Sequence, residues 1–163
     1  MVSERKRPKE NRRRKILVII DETPECRCAV SFAAQHAKNT NRTLVLLSII
    51  DNSEFQHFLG VDNIMRTELT QNAYETQKKI ADDMRDTQIC NAEMIVREGK
   101  KIDEIFKLIS EDKEIALVVL AASEQIEGPG PLVQLISHRE TAFSIPVIVI
   151  PSNLSDEDIE SLA

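Results

Sequence analysis

Five stretches of the chain carry the pattern of strands, and four between them the pattern of helices. Ile115–Ala122 is an unbroken apolar run of eight, the length and character of a strand buried on both faces. Lys15–Ile20, Thr43–Ile50 and the Val147–Ile150 run between Pro146 and Pro151 read the same way. Ala92–Glu98 mixes apolar with charged positions, as an edge strand does. Among the helices, Cys26, Ala29, Val30, Ala33 and Ala37 line one face of the first, with Thr23-Pro24-Glu25 as its expected cap and start. Val61 to about Arg85 forms the second, with Val61, Met65, Leu69, Ala73, Ile80 and Met84 as its expected core stripe. Ile102, Ile105, Phe106 and Ile109 mark the third at i, i+3, i+4, i+7. The fourth is expected from Pro131 to about Ala142.

Strands alternating with helical crossovers predict a doubly wound, Rossmann-like five-stranded parallel sheet. Right-handed crossovers give it the order 3-2-1-4-5, with helices on both faces. In such sheets ligands bind in a crevice at the carboxyl ends of the strands. Here that end is marked by Asp21 after the first strand. After the fourth come a polar loop, Ser123–Glu127, and Gly128-Pro129-Gly130-Pro131. The candidate crevice is therefore Asp21, Ala121, Ser123, Gly128, Gly130 and Leu132. Pro129 and Pro131 remove two N–H donors from any anion nest, while the helix start at Leu132 and Val133 still offers backbone N–H groups. The ten-residue connection 51–60, with Phe55, His57 and Phe58, is expected to fold back by simple packing.

Charge divides the chain. The first fifteen residues hold eight basic and two acidic groups; the rest hold 13 basic and 25 acidic, a net of −12. Residues 1–14 read as a disordered basic arm, 15–151 as the α/β domain, and 152–163 as a short acidic tail. An acidic body is a poor nucleic-acid surface, and contact of the arm with nucleic acid or an acidic surface is not favoured. Cys26, Cys28 and Cys90 have no zinc spacing and read as reduced thiols of a cytoplasmic protein. The basic start is followed by too short an apolar run for a signal or a membrane span.

No catalytic constellation assembles. No Gly-x-Gly-x-x-Gly follows the first strand, and no phosphate loop, nucleophile elbow or zinc-protease motif occurs. A receiver domain is excluded because its aspartate after the third strand and lysine after the fifth are missing: the third ends in Arg97-Glu98-Gly99 and the fifth in Pro151. His36 and His138 fall within expected helices with no partner implied.

Taken in order, Lys15-Ile-Leu-Val-Ile-Ile-Asp21 into a helix, Arg97-Glu98-Gly99 before a short amphipathic helix, Leu117-Val-Val-Leu-Ala-Ala and Pro146-Val-Ile-Val-Ile-Pro151 resemble a universal stress protein over about residues 15–151. The resemblance implies a non-enzymatic cytoplasmic stress-response protein. It also implies a homodimer through the fifth strand, whose Val147, Ile148, Val149 and Ile150 carry no charge. Nucleotide-binding members carry Gly-x2-Gly-x9-Gly-Ser/Thr after the fourth strand. Those places fall here on Ala121, Glu124, Gln134 and Leu135, none of which matches. No cofactor is therefore expected, and ATP or another adenine nucleotide held in the family's manner is disfavoured. The alternative reading is a nucleotide-binding switch or weak nucleotide hydrolase using Asp21 and the 123–131 loop.

Overall fold

The computed structural model describes residues 14–21, 23–51, 62–86, 92–123, 128, 130, 132–134 and 143–163. Expectations for residues 1–13, the 52–61 connection, Cys90, the 124–127 loop, Pro129, Pro131 and the helix body 135–142 lie outside them. The strands are β1 (Lys15–Ile20), β2 (Thr43–Ile50), β3 (Ala92–Glu98), β4 (Ile115–Ala121) and β5 (Val147–Ile150). The helices are α1 (Cys26–Asn39), α2 (Asp62–Asp86), α3 (Lys101–Glu111) and a last one, α4 (Asp156–Leu162). The sheet is wholly parallel in the order β3-β2-β1-β4-β5, as the pattern predicts.

Alternate residues of β1 feed two cores. Ile16, Val18 and Ile20 pack with α1, the lower half of α2 and Ile159 of α4. Leu17 and Ile19 pack on the other face with Ile105, Leu108 and Ile109 of α3. The small residues Ala29, Ala33 and Ala37 are fully buried, which brings α1 close against the sheet.

Three features differ from the sequence expectation. Helix α1 begins at Cys26, after i→i+3 bonds from Cys26, Arg27 and Cys28 N–H back to Thr23, Pro24 and Glu25. Thr23 does not cap it: its hydroxyl and its N–H both donate to Asp21 Oδ1. The second difference is α2, whose stripe is buried only below Gln77. Ala81 and Met84 are buried, whereas Met65 is 39% and Tyr74 46% exposed. Gln77 Nε2 reaches Leu46 O, Ser48 Oγ and Ile95 O, near the carboxyl ends of β2 and β3. The fifteen helical residues before Gln77 rise about 22 Å, while only about 7–13 Å of strand remains above that level. The upper part of α2 therefore overhangs the sheet, tethered by Arg66 Nε to Glu98 Oε1 at 3.1 Å.

The third difference is the acidic tail, which is folded. Ser155 and Asp158 form a reciprocal capping box, the Asp158 N–H donating to Ser155 Oγ at 3.1 Å and the Ser155 N–H to Asp158 Oδ2 at 3.0 Å. Ile159 is 5% exposed against the α1-side core. At its end Ala163 O lies 3.0 Å from His36 Nδ1, whose ring stacks on Phe32.

At the opposite pole from the crevice, Lys15 Nζ meets Asp112 at 2.9 Å, Glu93 at 3.0 Å and Glu114 at 3.5 Å. Burial works against its charge, but the hydrogen bonds to Asp112 and Glu93 outweigh it and hold the ammonium above the usual lysine range. Arg97 on β3 is likewise raised by its bond to Glu111, with Glu104 adding to it. The charges that mark β3 as an edge are thus paired with its neighbours.

Candidate functional site

The carboxyl ends of β1 and β4 lie side by side. The register pairs Val18 with Val119; continued to the strand ends, it sets Asp21 opposite Ala122. Ala121 pairs with Ile150, and the Ala122 N–H donates to Ile150 O at 2.9 Å, so β5 braces the strand just before the loop. Ser123 and Gly130 are brought together: a Cβ on Gly130 would stand 3.5 Å from that of Ser123. Gly128 and Gly130 have φ of +117° and +95°, conformations side chains rarely adopt. The helical turn that follows is closed by the Gln134 N–H on Gly130 O at 3.0 Å. Leu132 packs into the α3-side core.

One further group matters here, at the place where the resemblance puts the family's third glycine. The side-chain amide of Gln134 reaches back over the turn. Its Nε2 is 2.9 Å from where a Cβ on Gly128 would stand. A glycine at 134 would leave that space open; the glutamine occupies it.

Asp21 sits differently from the other candidates. Its Oδ1 accepts both bonds from Thr23. It lies at one end of a groove between α1 and α2 that encloses about 440 Å3. Cys26 lies on the wall of that groove, and burial pushes its thiol up to about 11. That keeps it neutral at ordinary pH. A larger hollow, about 550 Å3, lies along α2 between Arg66 and Lys78 among the described residues, and we assign it no role.

Among the described residues no group of His, Cys, Asp and Glu could hold a metal ion, and Cys26 and Cys28 are free thiols. No described helix is long and apolar enough to cross a membrane. Among the described residues the crevice offers backbone groups, the Ser123 hydroxyl and the Asp21 carboxylate.

The family model of the universal stress protein family matches residues 12–136. No curated protein sequence matches the chain. Among solved structures, the universal stress protein UspA from Lactobacillus plantarum is 21% identical with a TM-score of 0.70, covering 86% of this chain and 99% of its own. A universal stress protein solved in complex with cAMP is 17% identical with a TM-score of 0.61, over 86% of this chain and 98% of its own. One from Archaeoglobus fulgidus, in complex with dAMP, is 18% identical with a TM-score of 0.55, over 83% and 96%. At these identities the likeness is one of fold.

Proposed function

Because the chain belongs to the universal stress protein family, we propose that it is a non-enzymatic cytoplasmic stress-response protein with an altered crevice. In this reading Asp21, Ala121, Ser123, Gly128, Gly130 and Leu132 line a place for a small ligand, but not for a triphosphate held by the family's glycines. The observation that carries it is Gln134, which fills the space beside Gly128 from the position of the pattern's third glycine. Ala121 at the first glycine position is consistent with this, since it is committed to the β4–β5 ladder. Two fold relatives were solved with cAMP and dAMP, which supports a ligand role for the crevice as a region and leaves the triphosphate grip as the part this chain has given up.

The working unit in this proposal is a homodimer joined by β5. That strand pairs with β4 on one side and is the last in the sheet, and Val149 is 38% exposed. An uncharged apolar edge of this kind is an aggregation hazard unless covered, and a second copy across a two-fold axis covers it most simply.

Calorimetric titration with Mg-ATP tests the crevice. Binding no tighter than millimolar is expected. Micromolar affinity would overturn the reading and favour the nucleotide switch instead. If an adenine-type ligand does bind, Asp21→Ala should weaken it.

A further inference from the structure

We propose that the small ligand of the crevice is a free apolar α-amino acid, its charged head held between Asp21 and Arg27 and its side chain laid in the groove between α1 and α2. This rests on the reading of Asp21 as a ligand group of the crevice, whose ligand class it names. Asp21 and Arg27 both line the groove, so crevice and groove meet at Asp21 and form one site. Helices packed side by side normally interdigitate their side chains and leave few voids larger than a water molecule. Here Ser31 and Ala34 of α1 are small, and about 440 Å3 is left between the two helices. That falls within the range of small-molecule pockets, about 300–1,000 Å3.

Two opposite charges on this lining are uncommitted. Asp21 Oδ1 is fixed by the Thr23 hydroxyl and N–H, while its Oδ2 accepts no hydrogen bond among the described residues. Arg27, exposed on the first turn of α1, has no ion pair among the described residues, with Asp21 or any other group. The space between them is therefore open to a head that carries both signs. Asp83 also borders the groove but is already engaged, which leaves the head to Asp21 and Arg27. An ammonium donates to Asp21 Oδ2, and a carboxylate accepts the paired N–H groups of Arg27. A ligand with a net charge would leave one of the two unmatched. A phosphate is further disfavoured by the chain beyond residue 15, at a net −12.

Behind the head the lining is apolar. Val30, Ala34 and Met84 are buried, and Ile80 is packed on the same core. Met84, unbranched and polarizable, adapts to an aliphatic or an aromatic body. A leucine, methionine or phenylalanine side chain suits such a groove, whereas a polar one would be desolvated against these residues without a partner.

The test is a two-dimensional 1H–15N titration of the full chain at pH 7 with L-leucine, set against two analogues that each lack one charge. These are 3-methylbutylamine, without the carboxylate, and 4-methylpentanoate, without the ammonium. Saturable shifts centred on Arg27, Ser31 and Ala34 are expected in the millimolar range. Leucine should bind about fivefold tighter than either analogue, the worth of one partly exposed ion pair. Glycine, which has the head alone, should not saturate. Arg27→Gln should bring leucine down to the affinity of the amine, and Asp21→Asn to that of the acid. If Asp21→Asn disturbs the fold, the exposed Arg27→Gln decides alone. The proposal is overturned if leucine fails to saturate at tens of millimolar, or if either analogue or glycine binds as tightly. It is equally overturned if Arg27→Gln leaves the affinity unchanged, or if the shifts centre on Ser123 and Gly130 and spare Ser31 and Ala34. Loss of the crevice reading would appear instead as micromolar Mg-ATP binding, so the two failures are distinguishable.

Discussion

Gln77 is fully buried on a helix whose upper turns stand in water, and replacing it tests the account of how α2 is held. Its Nε2 has two hydrogens and three acceptors within 3.2 Å: Leu46 O, Ser48 Oγ and Ile95 O. Two bonds can therefore be made at full strength at any moment. Gln77→Met keeps the volume and removes both, a loss of about 1–3 kcal/mol at 0.5–1.5 each. Against this, Gln77 Oε1 is buried without a hydrogen-bond partner among the described residues, and deleting it returns part of that loss, so the lower half of the range is expected. Gln77→Glu is the sharper change. It turns an anion towards two carbonyl oxygens and a hydroxyl, leaving an uncompensated buried charge worth about 3–5 kcal/mol. That is a large share of a total stability of about 5–15 kcal/mol. Burial must raise the new carboxyl's pKa above its unfolded value of about 4.3. Between the two values the folded state binds more protons, so stability falls as pH rises, and the deficit should shrink on going from pH 7 to pH 5. Urea unfolding followed by circular dichroism at both pH values measures this. A Gln77→Glu protein within about 1 kcal/mol of the parent at pH 7, or a deficit unchanged at pH 5, would refute the reasoning.

Three further outcomes are expected. Lys15→Met leaves Asp112, Glu93 and Glu114 facing one another and should cost about 1–3 kcal/mol in denaturant unfolding at pH 7. Because the folded pKa of Lys15 is raised, its contribution is fully present below the unfolded lysine value of about 10.4 and is lost only as pH climbs towards the folded value. The parent and the variant should therefore converge only in strong alkali. Ile159→Ala empties a buried position in α4 and should lower stability by about 2 kcal/mol or more; no change in the unfolding midpoint would mean that α4 does not hold to the body. Val149→Lys places a charge on the open edge of β5 while sparing Ile148, which packs on the core. Sedimentation at tens of micromolar should show a dimer for the parent and a monomer for this variant, and a monomeric parent would sink the β5 interface.

The sheet was legible because four strands are largely apolar runs whose ends are marked by charge, proline or a turn residue, while Ala92–Glu98 mixes apolar with charged positions as an edge strand does. Lys15–Ile20, Thr43–Ile50 and Ala92–Glu98 fall where the pattern puts them. Burial of α1 was legible for a similar reason: its small residues repeat at helical spacing. Gln77 was not, because nothing in a polar helix marks which glutamine turns inward; only the acceptors on β2 and β3 decide it. The overhang of α2 escaped for the same cause, since periodicity gives a helix's face and not how far the sheet runs beneath it. Helix α4 could have been found: Ser155, Asp158 and the apolar Ile159 form a capping signature, hidden by the acidity of the segment. The crevice residues were placed by topology, but the reach of Gln134 across to Gly128 depends on a turn that two positive-φ glycines create.

The way α2 is anchored also sets a gradient of amide protection along one continuous helix. Backbone amides around Gln77, Ala81 and Met84 sit over buried contacts and should exchange with deuterium only when the whole domain opens. Those from Ile64 to Tyr74 lie on turns where Ile64, Met65 and Tyr74 are exposed, with the Arg66–Glu98 ion pair among their ties to the sheet, so they should exchange by unwinding from the tip at far smaller free energy. A single helix would then report two stabilities, that of the domain at its base and that of a locally held tip at its end.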